Sequence, residues 1–334
     1  MVTKRLNVDN IGLEKASEIL KNGGIVGIPT ETVYGLAANA YNSDAITKIF
    51  KAKGRPQDNP LIVHIASIDT LYEIAKDIPK TALLCAEKFW PGPLTMVLKK
   101  TDKIPLAVSA GLSTVAVRMP KNKTARELIL KSGLPLAAPS ANTSGSPSPT
   151  TANHVINDLD GKIDAVLMGE SCTVGVESTV ITLAGEHPVL LRPGGVTLEQ
   201  LKEVLPDITI SDAVLNELKK SENAESPGMK YKHYAPKTET FLVEGENFPE
   251  FVNQKEDSVA VCFLEEENDI KINKIVYGSF KTPESLAQNL FEVLRKVDSM
   301  GAKTVYIHAP TKDGIGLAIY NRLIRAAAFK VIKL

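Results

Sequence analysis

The sequence predicts an α/β protein, an open twisted sheet followed by a smaller α/β domain, on three observations. Short apolar runs alternate with stretches of helical periodicity along nearly the whole chain. The first alternation, residues 24–65, collects hydroxyl, amide and basic side chains at its element ends. Between 221 and 238 the texture changes to SENAESPGMKYKHYAPKT, almost free of aliphatic residues, which reads as a linker. A chain of 334 residues also exceeds the roughly 250–300 at which a single core stops growing. Domains are therefore expected at 1–220 and 239–334, with the linker at 221–238.

Each element has a local reason. Residues 11–20 form a helical face of Ile11, Leu13, Ala16, Ile19 and Leu20, stopped by Asn22-Gly23-Gly24. The apolar run 24–28 is a strand ended by Pro29, and Pro29-Thr30-Glu31-Thr32 opens a hydroxyl-rich loop that lasts to Ser43. Ser43 is the expected N-cap of a helix carrying Ala45, Ile46, Ile49 and Phe50 at helical spacing, with Gly54 and Pro56 closing it. A buried strand follows at 61–65. Ser67 opens a helix over 71–75, another spans 81–90, and Pro91-Gly92-Pro93 breaks the chain before a strand at 94–98. Residues 114–119 alternate as a strand, with Thr114, Ala116 and Arg118 on one face and Val115 and Val117 on the other. A helix at 121–132 ends at Gly133, and a strand at 134–138 leads into PSANTSGSPS, dense in turn residues and hydroxyls. A helix at 151–159, strands at 165–168, 180–183 and 189–191, the turn Arg192-Pro193-Gly194-Gly195, and a helix at 198–205 capped by Thr197 complete the first domain.

Beyond the linker, strands are expected at 241–243, 259–263 and 305–307. A helix at 282–300 buries Leu286, Leu290, Phe291, Leu294 and Val297, and another spans 317–329. Strands alternating with helices imply a small parallel sheet. Gly314-Ile315-Gly316 resembles a dinucleotide-binding turn, but it lacks the third glycine and the βαβ entry, so it reads as a helix start.

Composition narrows the function. Lys+Arg and Asp+Glu both number 39, so no global field draws the protein to nucleic acid or membrane. Aromatics make up only 5%, too few for base-stacking platforms. Cys85, Cys172 and Cys262 lie far apart, without metal spacing, and fit a reducing cytoplasm. MVTKRLNVDN is too polar for a signal peptide, and no apolar run approaches the ~20 residues of a membrane helix. There is no GxxxxGK[ST], GxSxG or HExxH motif.

What remains is a set of cations and hydroxyls at element ends. Lys51 and Lys53 suit a helix C-terminus, and Lys53-Gly54-Arg55 also runs into a proline-bounded loop able to hold an Arg fork for an anion. Arg118 and Arg192 lie at strand ends. With Thr32, Ser140, Ser148 and Ser178 they suit a polyanionic substrate, gathered beside strand termini as in an open α/β sheet. His64 and Asn59 read equally as a core histidine and a turn asparagine. Non-catalytic binding of structured RNA stays open at this point.

PTETVYGL, KAKGRPQDNPLIVHI, PGPLT, the later SAN, SPGMKYKHYAP and GIGLAIYNRLIRAA resemble the signatures of the YrdC-domain family, in its long two-domain form of L-threonylcarbamoyladenylate synthases. The resemblance covers nearly the whole chain. It implies a YrdC-like twisted open-sheet catalytic domain, a linker folding over the active site and a smaller Rossmann-like α/β C-terminal domain. The implied activity is a nucleotidyltransferase reaction: L-threonine, bicarbonate or CO2, and ATP give L-threonylcarbamoyladenylate and pyrophosphate. The product would serve N6-threonylcarbamoyladenosine modification of tRNA position 37. Magnesium is expected on the ATP phosphates, with no protein metal site. Downstream tRNA threonylcarbamoyl-transfer machinery is the expected partner, with tRNA or RNA contact and no membrane. Carried over by position, Lys53 and Arg55 look catalytic. Arg55, Asn59, Thr114, Ser140, Asn142, Ser148, Arg192 and Tyr234 look like ATP contacts. Thr32, His64, Arg118, Ala138 and Ser178 look like threonine contacts, with Arg118 on the carboxylate. Carbamoyl transfer to another acceptor, as in hydrogenase-maturation relatives, would call for acylphosphatase and cysteine-rich zinc segments, against which the three scattered cysteines stand.

Overall fold

The computed structural model describes residues 2–216 and 234–334, so the linker expectation for 221–233 lies outside the described residues. In chain order the strands are β1 (Lys4–Asn7), β2 (Val26–Ile28), β3 (Gly35–Asn39), β4 (Ile62–His64), β5 (Leu94–Lys99), β6 (Thr114–Arg118), β7 (Leu136–Ala137), β8 (Ala165–Met168), β9 (Thr179–Thr182), β10 (Val189–Arg192), β11 (Thr209–Ile210), β12 (Glu239–Glu244), β13 (Ser258–Phe263), β14 (Lys274–Gly278), β15 (Thr304–His308) and β16 (Val331–Lys333). Two compact units result. The second takes in Gly145–Pro147, Val174–Val176 and the residues described from Tyr234 onward.

The first unit carries an eleven-stranded sheet in the order β1-β8-β2-β3-β7-β4-β6-β5-β9-β10-β11. This α/β sheet is mixed, which corrects the expectation of converging strand termini. β2–β3, β3–β7, β7–β4, β5–β6 and β9–β10 are antiparallel, and the other five pairings are parallel. Strand ends of both polarities therefore meet at each edge, and the parallel-sheet rule for locating a site does not apply. The loop expected between Pro29 and Ser43 is interrupted by β3, whose Gly-Leu-Ala-Ala-Asn sequence has weak strand propensity and folds back antiparallel to β2. The N-cap of the helix Ser43–Lys53 is Asn42, one residue earlier than expected: its side chain accepts from the Asp44 and Ala45 amides.

That helix ends as its sequence directs. Gly54 adopts φ 61°, and the Arg55 amide reaches back to the Phe50 carbonyl at 3.0 Å. The basic trio is thereby separated: Lys51 is exposed, Lys53 is buried and Arg55 is half-buried. The expected alternation in β6 holds. Val115 and Val117 join the main core, while Ala116 packs on the other side with Ile62, Val97, Val180, Leu191 and Ala213.

The second unit is a five-stranded sheet, β14-β13-β15-β12-β16, in which every pairing is parallel. β14 and β16, both edge strands, are missing from the sequence expectations; each is short and only partly buried. The helix Pro283–Val297 buries the predicted face of Leu286, Leu290, Phe291, Leu294 and Val297. Gly314 and Gly316 begin the helix Gly314–Ala326, as a helix start and not a nucleotide turn. Among the described residues no helix is long and apolar enough to cross a membrane.

Candidate active site

Strand register builds the site. His64 of β4 lies opposite Arg118 of β6, and Arg118 lies opposite Thr95 of β5. Side chains opposite one another in register share a face, so His64, Arg118 and Thr95 form one row across three strands. Two residues back, Ile62, Ala116 and Val97 form an apolar row on that face. Thr114 begins the next row, roughly 13 Å from Arg118 at the rise of a strand.

Arg118 is the hub of the polar row. Its Nε donates to the Gly92 carbonyl at 3.3 Å, Nη1 to Thr32 Oγ1 at 2.8 Å and Nη2 to Glu31 Oε1 at 2.6 Å. The Arg118 and Glu31 side chains are 4% and 6% exposed. Burial pushes the Glu31 carboxyl up, but the Arg118 charge and hydrogen bond outweigh it, so the group titrates below the usual carboxylate range. Thr30 Oγ1 donates its one proton to the Val33 carbonyl at 2.5 Å, so in the 2.9 Å Thr30–Thr32 contact Thr32 is the donor. With its proton used there, Thr32 can meet a ligand only as an acceptor.

The row continues through Thr95, whose hydroxyl meets Ser178 Oγ at 2.8 Å. Ser178 in turn receives Arg192: Nη2 donates to its hydroxyl at 3.2 Å and to its carbonyl at 2.9 Å, and Nε to the same carbonyl at 3.2 Å. A hydrogen-bonded path therefore runs Glu31–Arg118–Thr32 on one side and Thr95–Ser178–Arg192 on the other, with Arg118 and Thr95 in register between them. The turn after Arg192 is held by space. A Cβ on Gly194 would lie 2.3 Å from the Glu177 carbonyl and from the Thr179 amide, and Thr179 Oγ1 donates to the Val196 carbonyl at 2.6 Å.

The hydroxyl-rich loop after β7 is laced down at both ends. The Ala141 amide donates to the Tyr34 carbonyl at 2.8 Å, the Tyr34 amide to the Pro149 carbonyl at 2.8 Å, and the Ser144 amide to the Lys53 carbonyl at 2.9 Å. Lys53 Nζ donates to the Ser140 carbonyl at 2.5 Å and to the Asn142 carbonyl at 2.7 Å. Burial, reinforced by the Arg55 charge, drives the Lys53 ammonium well below its ordinary pKa. Lys53, expected as catalytic, thus braces the Ser140–Asn142 turn. Asn142 Nδ2 donates to the Thr143 carbonyl at 2.8 Å. Ser148, fully buried, donates to Glu177 Oε1 at 2.5 Å, which leaves its oxygen only acceptor capacity.

The remaining expected residues fall as follows. Arg55 Nη2 donates to the Asn59 carbonyl at 3.4 Å. Asn59 is 1% exposed, and among the described residues neither end of its side-chain amide has a hydrogen-bond partner. His64 is also buried, with Nδ1 unpartnered; burial and then the Arg118 charge bring its pKa down to about 3, so the ring is neutral. Orphaned buried polar groups mark places where a ligand would complete the hydrogen bonding. Ala138 is buried, its amide bonded to the Ile62 carbonyl at 2.9 Å. Tyr234 is buried in the second unit with its ring 5.3 Å from that of Phe291. Glu31, Thr95 and Gly92 are absent from the expected set. Glu31 and Thr95 sit inside the quoted PTETVYGL and PGPLT stretches, but a loop carboxylate and a strand threonine carry no signal by residue type.

Two family models cover this architecture. One, described as telomere recombination and named for Sua5, YciO and YrdC, matches residues 18–194. The other, the C-terminal domain of threonylcarbamoyl-AMP synthase, matches residues 196–328. The chain belongs to the Sua5/YciO/YrdC family, in its long two-domain form. It is 44% identical to the threonylcarbamoyl-AMP synthase of Pyrococcus abyssi, covering 100% of this chain and 99% of that one. Identity to the Bacillus subtilis threonylcarbamoyl-AMP synthase is 43%, over 99% and 97% of the two chains. A crystal structure of P. abyssi Sua5 complexed with L-threonine matches with a TM-score of 0.91 at 40% identity over the full length of both chains.

Two outcomes test this geometry. Gly194→Ala should destabilise the protein by roughly 1–3 kcal/mol, because backbone on both sides blocks the added methyl; an unchanged thermal melt would contradict the close packing of this turn. For His64, the folded pKa lies below the ordinary histidine value of 6.5. The unfolded chain then binds a proton that the folded one does not, and stability falls with pH from about 6.5 towards 3, by ~1.4 kcal/mol per unit. Urea titrations at pH 7 and 4.5 should give a loss of ~2–3 kcal/mol that His64→Gln escapes. Equal acid losses in both proteins would mean that the ring is not held neutral.

Proposed function

We propose that this protein is a threonylcarbamoyl-AMP synthase, joining L-threonine, bicarbonate or CO2, and ATP to give L-threonylcarbamoyladenylate and pyrophosphate. The observation that carries the reading is the polar row itself, in a chain matched end to end by synthases. It sets a buried arginine fork suited to an amino-acid carboxylate beside hydroxyls that lead to a second arginine suited to a nucleotide.

In this reading Arg118 takes the threonine carboxylate, with Thr32, His64, Ser178 and the Ala138 backbone around the rest of the molecule. Arg55, Asn59, Thr114, Ser140, Asn142, Ser148, Arg192 and Tyr234 serve the nucleotide. Lys53 acts through the turn it braces. Ser148, restricted to accepting by Glu177, suits a nucleoside N–H or O–H donor and not a phosphate oxygen. The threonine amine forms a C–N bond to bicarbonate, with loss of water, to give a carbamate. A carbamate oxygen then forms a bond to the α-phosphorus of ATP as the bond to the bridging oxygen breaks and pyrophosphate leaves. The carbamate is already anionic, so the second step asks for alignment and charge screening more than for a base; alignment can supply ~7–11 kcal/mol of a barrier. A neutral His64 and an ionised, paired Glu31 agree with that division of labour.

Among the described residues no group of three His, Cys, Asp or Glu could hold a metal ion. This donor set does not fit a protein-bound metal, and magnesium is proposed only as a companion of the ATP phosphates. We further propose a cytoplasmic setting, with the product passed to the machinery that builds N6-threonylcarbamoyladenosine at tRNA position 37.

Pyrophosphate release from ATP, with threonine and bicarbonate each added and withheld, tests the activity. Release that needs both, with bicarbonate carbon in the adenylate, is expected. Release with threonine alone in CO2-depleted buffer would indicate simple amino-acid activation, and no release would overturn the assignment. Arg55→Ala should slow adenylate formation at least ~100-fold, the equivalent of ~3 kcal/mol for a charged contact in a transition state. A wild-type rate would remove Arg55 from the phosphate role.

A further inference from the structure

We infer that Glu31 is the positioning residue of the amino-acid pocket, holding Arg118 in the orientation in which it receives the substrate carboxylate. The inference rests on the reading of Arg118 given above and adds a residue that the motif pattern does not single out.

Arg118 is oriented by contacts within the protein. A guanidinium offers N–H groups in one plane in a fixed fork. Here Nε is held by the Gly92 carbonyl, Nη1 by Thr32 and Nη2 by Glu31, so each nitrogen has one protein partner and the plane cannot turn. In this inference the second hydrogens of Nη1 and Nη2 serve the incoming anion. Of the three holding contacts only Glu31 carries charge. Gly92 and Thr32 can aim the fork but cannot offset the burial of a cation at 3% residue exposure.

Glu31 is itself anchored. Its Oε2 accepts from the Asn122 amide at 3.2 Å, and Asn122 caps the helix Lys123–Ser132, its Oδ1 accepting from the Ala125 amide at 3.1 Å. The carboxylate therefore ties the end of β6 to the start of the next helix, and its charge sits where helix N-termini favour an anion. Held below the usual carboxylate range by Arg118, it stays ionised through neutral pH. A neutral amide at this position would keep the shape and lose the charge.

Steady-state kinetics of Glu31→Gln, Arg118→Ala and the double variant test this. Glu31→Gln is expected to raise the threonine KM at least ~10-fold, equivalent to ~1.4 kcal/mol, while the ATP KM stays within about twofold and the thermal melt shows a folded protein. In the Arg118→Ala background Glu31→Gln should add less than about twofold, because a residue acting through Arg118 has nothing left to position. Glu31→Asp, which restores the charge on a shorter arm, should recover part of the threonine KM. A wild-type threonine KM in Glu31→Gln would overturn the inference, as would equal losses for threonine and ATP or full additivity with Arg118→Ala. If Arg118→Ala itself leaves the threonine KM unchanged, the carboxylate reading of Arg118 fails instead.

Discussion

A guanidinium almost out of water is tolerated only if its charge is answered and its nitrogens are hydrogen-bonded, and Arg118 meets both conditions through Glu31, Thr32 and Gly92. Much of the site follows from this. Gly92 lies in the Pro-Gly-Pro turn and donates its own amide to the Met119 carbonyl at 2.8 Å, so that turn and the end of β6 hold each other. Thr32 donates a hydrogen bond to Thr30 and Thr30 to the Val33 carbonyl, which folds the loop after β2 around the same charge. Removing one partner of such a pair typically costs about 3–5 kcal/mol, since the other is left buried and uncompensated.

The second cation group works differently. Lys53, Arg55 and Arg192 sit at the ends of a helix and a strand, and the sequence alone makes them look equivalent as anion binders. Their hydrogen-bond partners separate them. Lys53 donates to two carbonyls of the turn after β7. Arg192 is joined to Ser178, so residues expected to serve the nucleotide and the amino acid are hydrogen-bonded to each other. A junction of that kind suits a reaction in which an atom of one substrate must approach a phosphorus of another.

What could be read directly from the chain was periodicity and punctuation. The alternation of β6, the glycine stop after Lys53, the Ser67 and Thr197 caps and the apolar face of the helix Pro283–Val297 are local matters of side-chain spacing and backbone freedom, and all are present. The α/β class and the all-parallel second sheet follow from the same patterns. β3, β14 and β16 were not legible, because an Ala-Gly-rich segment and two short edge strands owe their extended state to a neighbour and not to their own residues.

Residue types alone determined which side chains were available: cations and hydroxyls at element ends, with no metal-ligand spacing. Only the tertiary structure decided which of them meet. Mixed strand polarity places His64, Arg118 and Thr95 in one register row although they lie on three separate strands. It gives Arg118 a counter-charge from Glu31, 87 positions away, and sets Lys53 against two carbonyls of the turn after β7. The physical reason is that a charge's role depends on its distance to water and to other charges, and both are set by long-range strand pairing that no local pattern encodes.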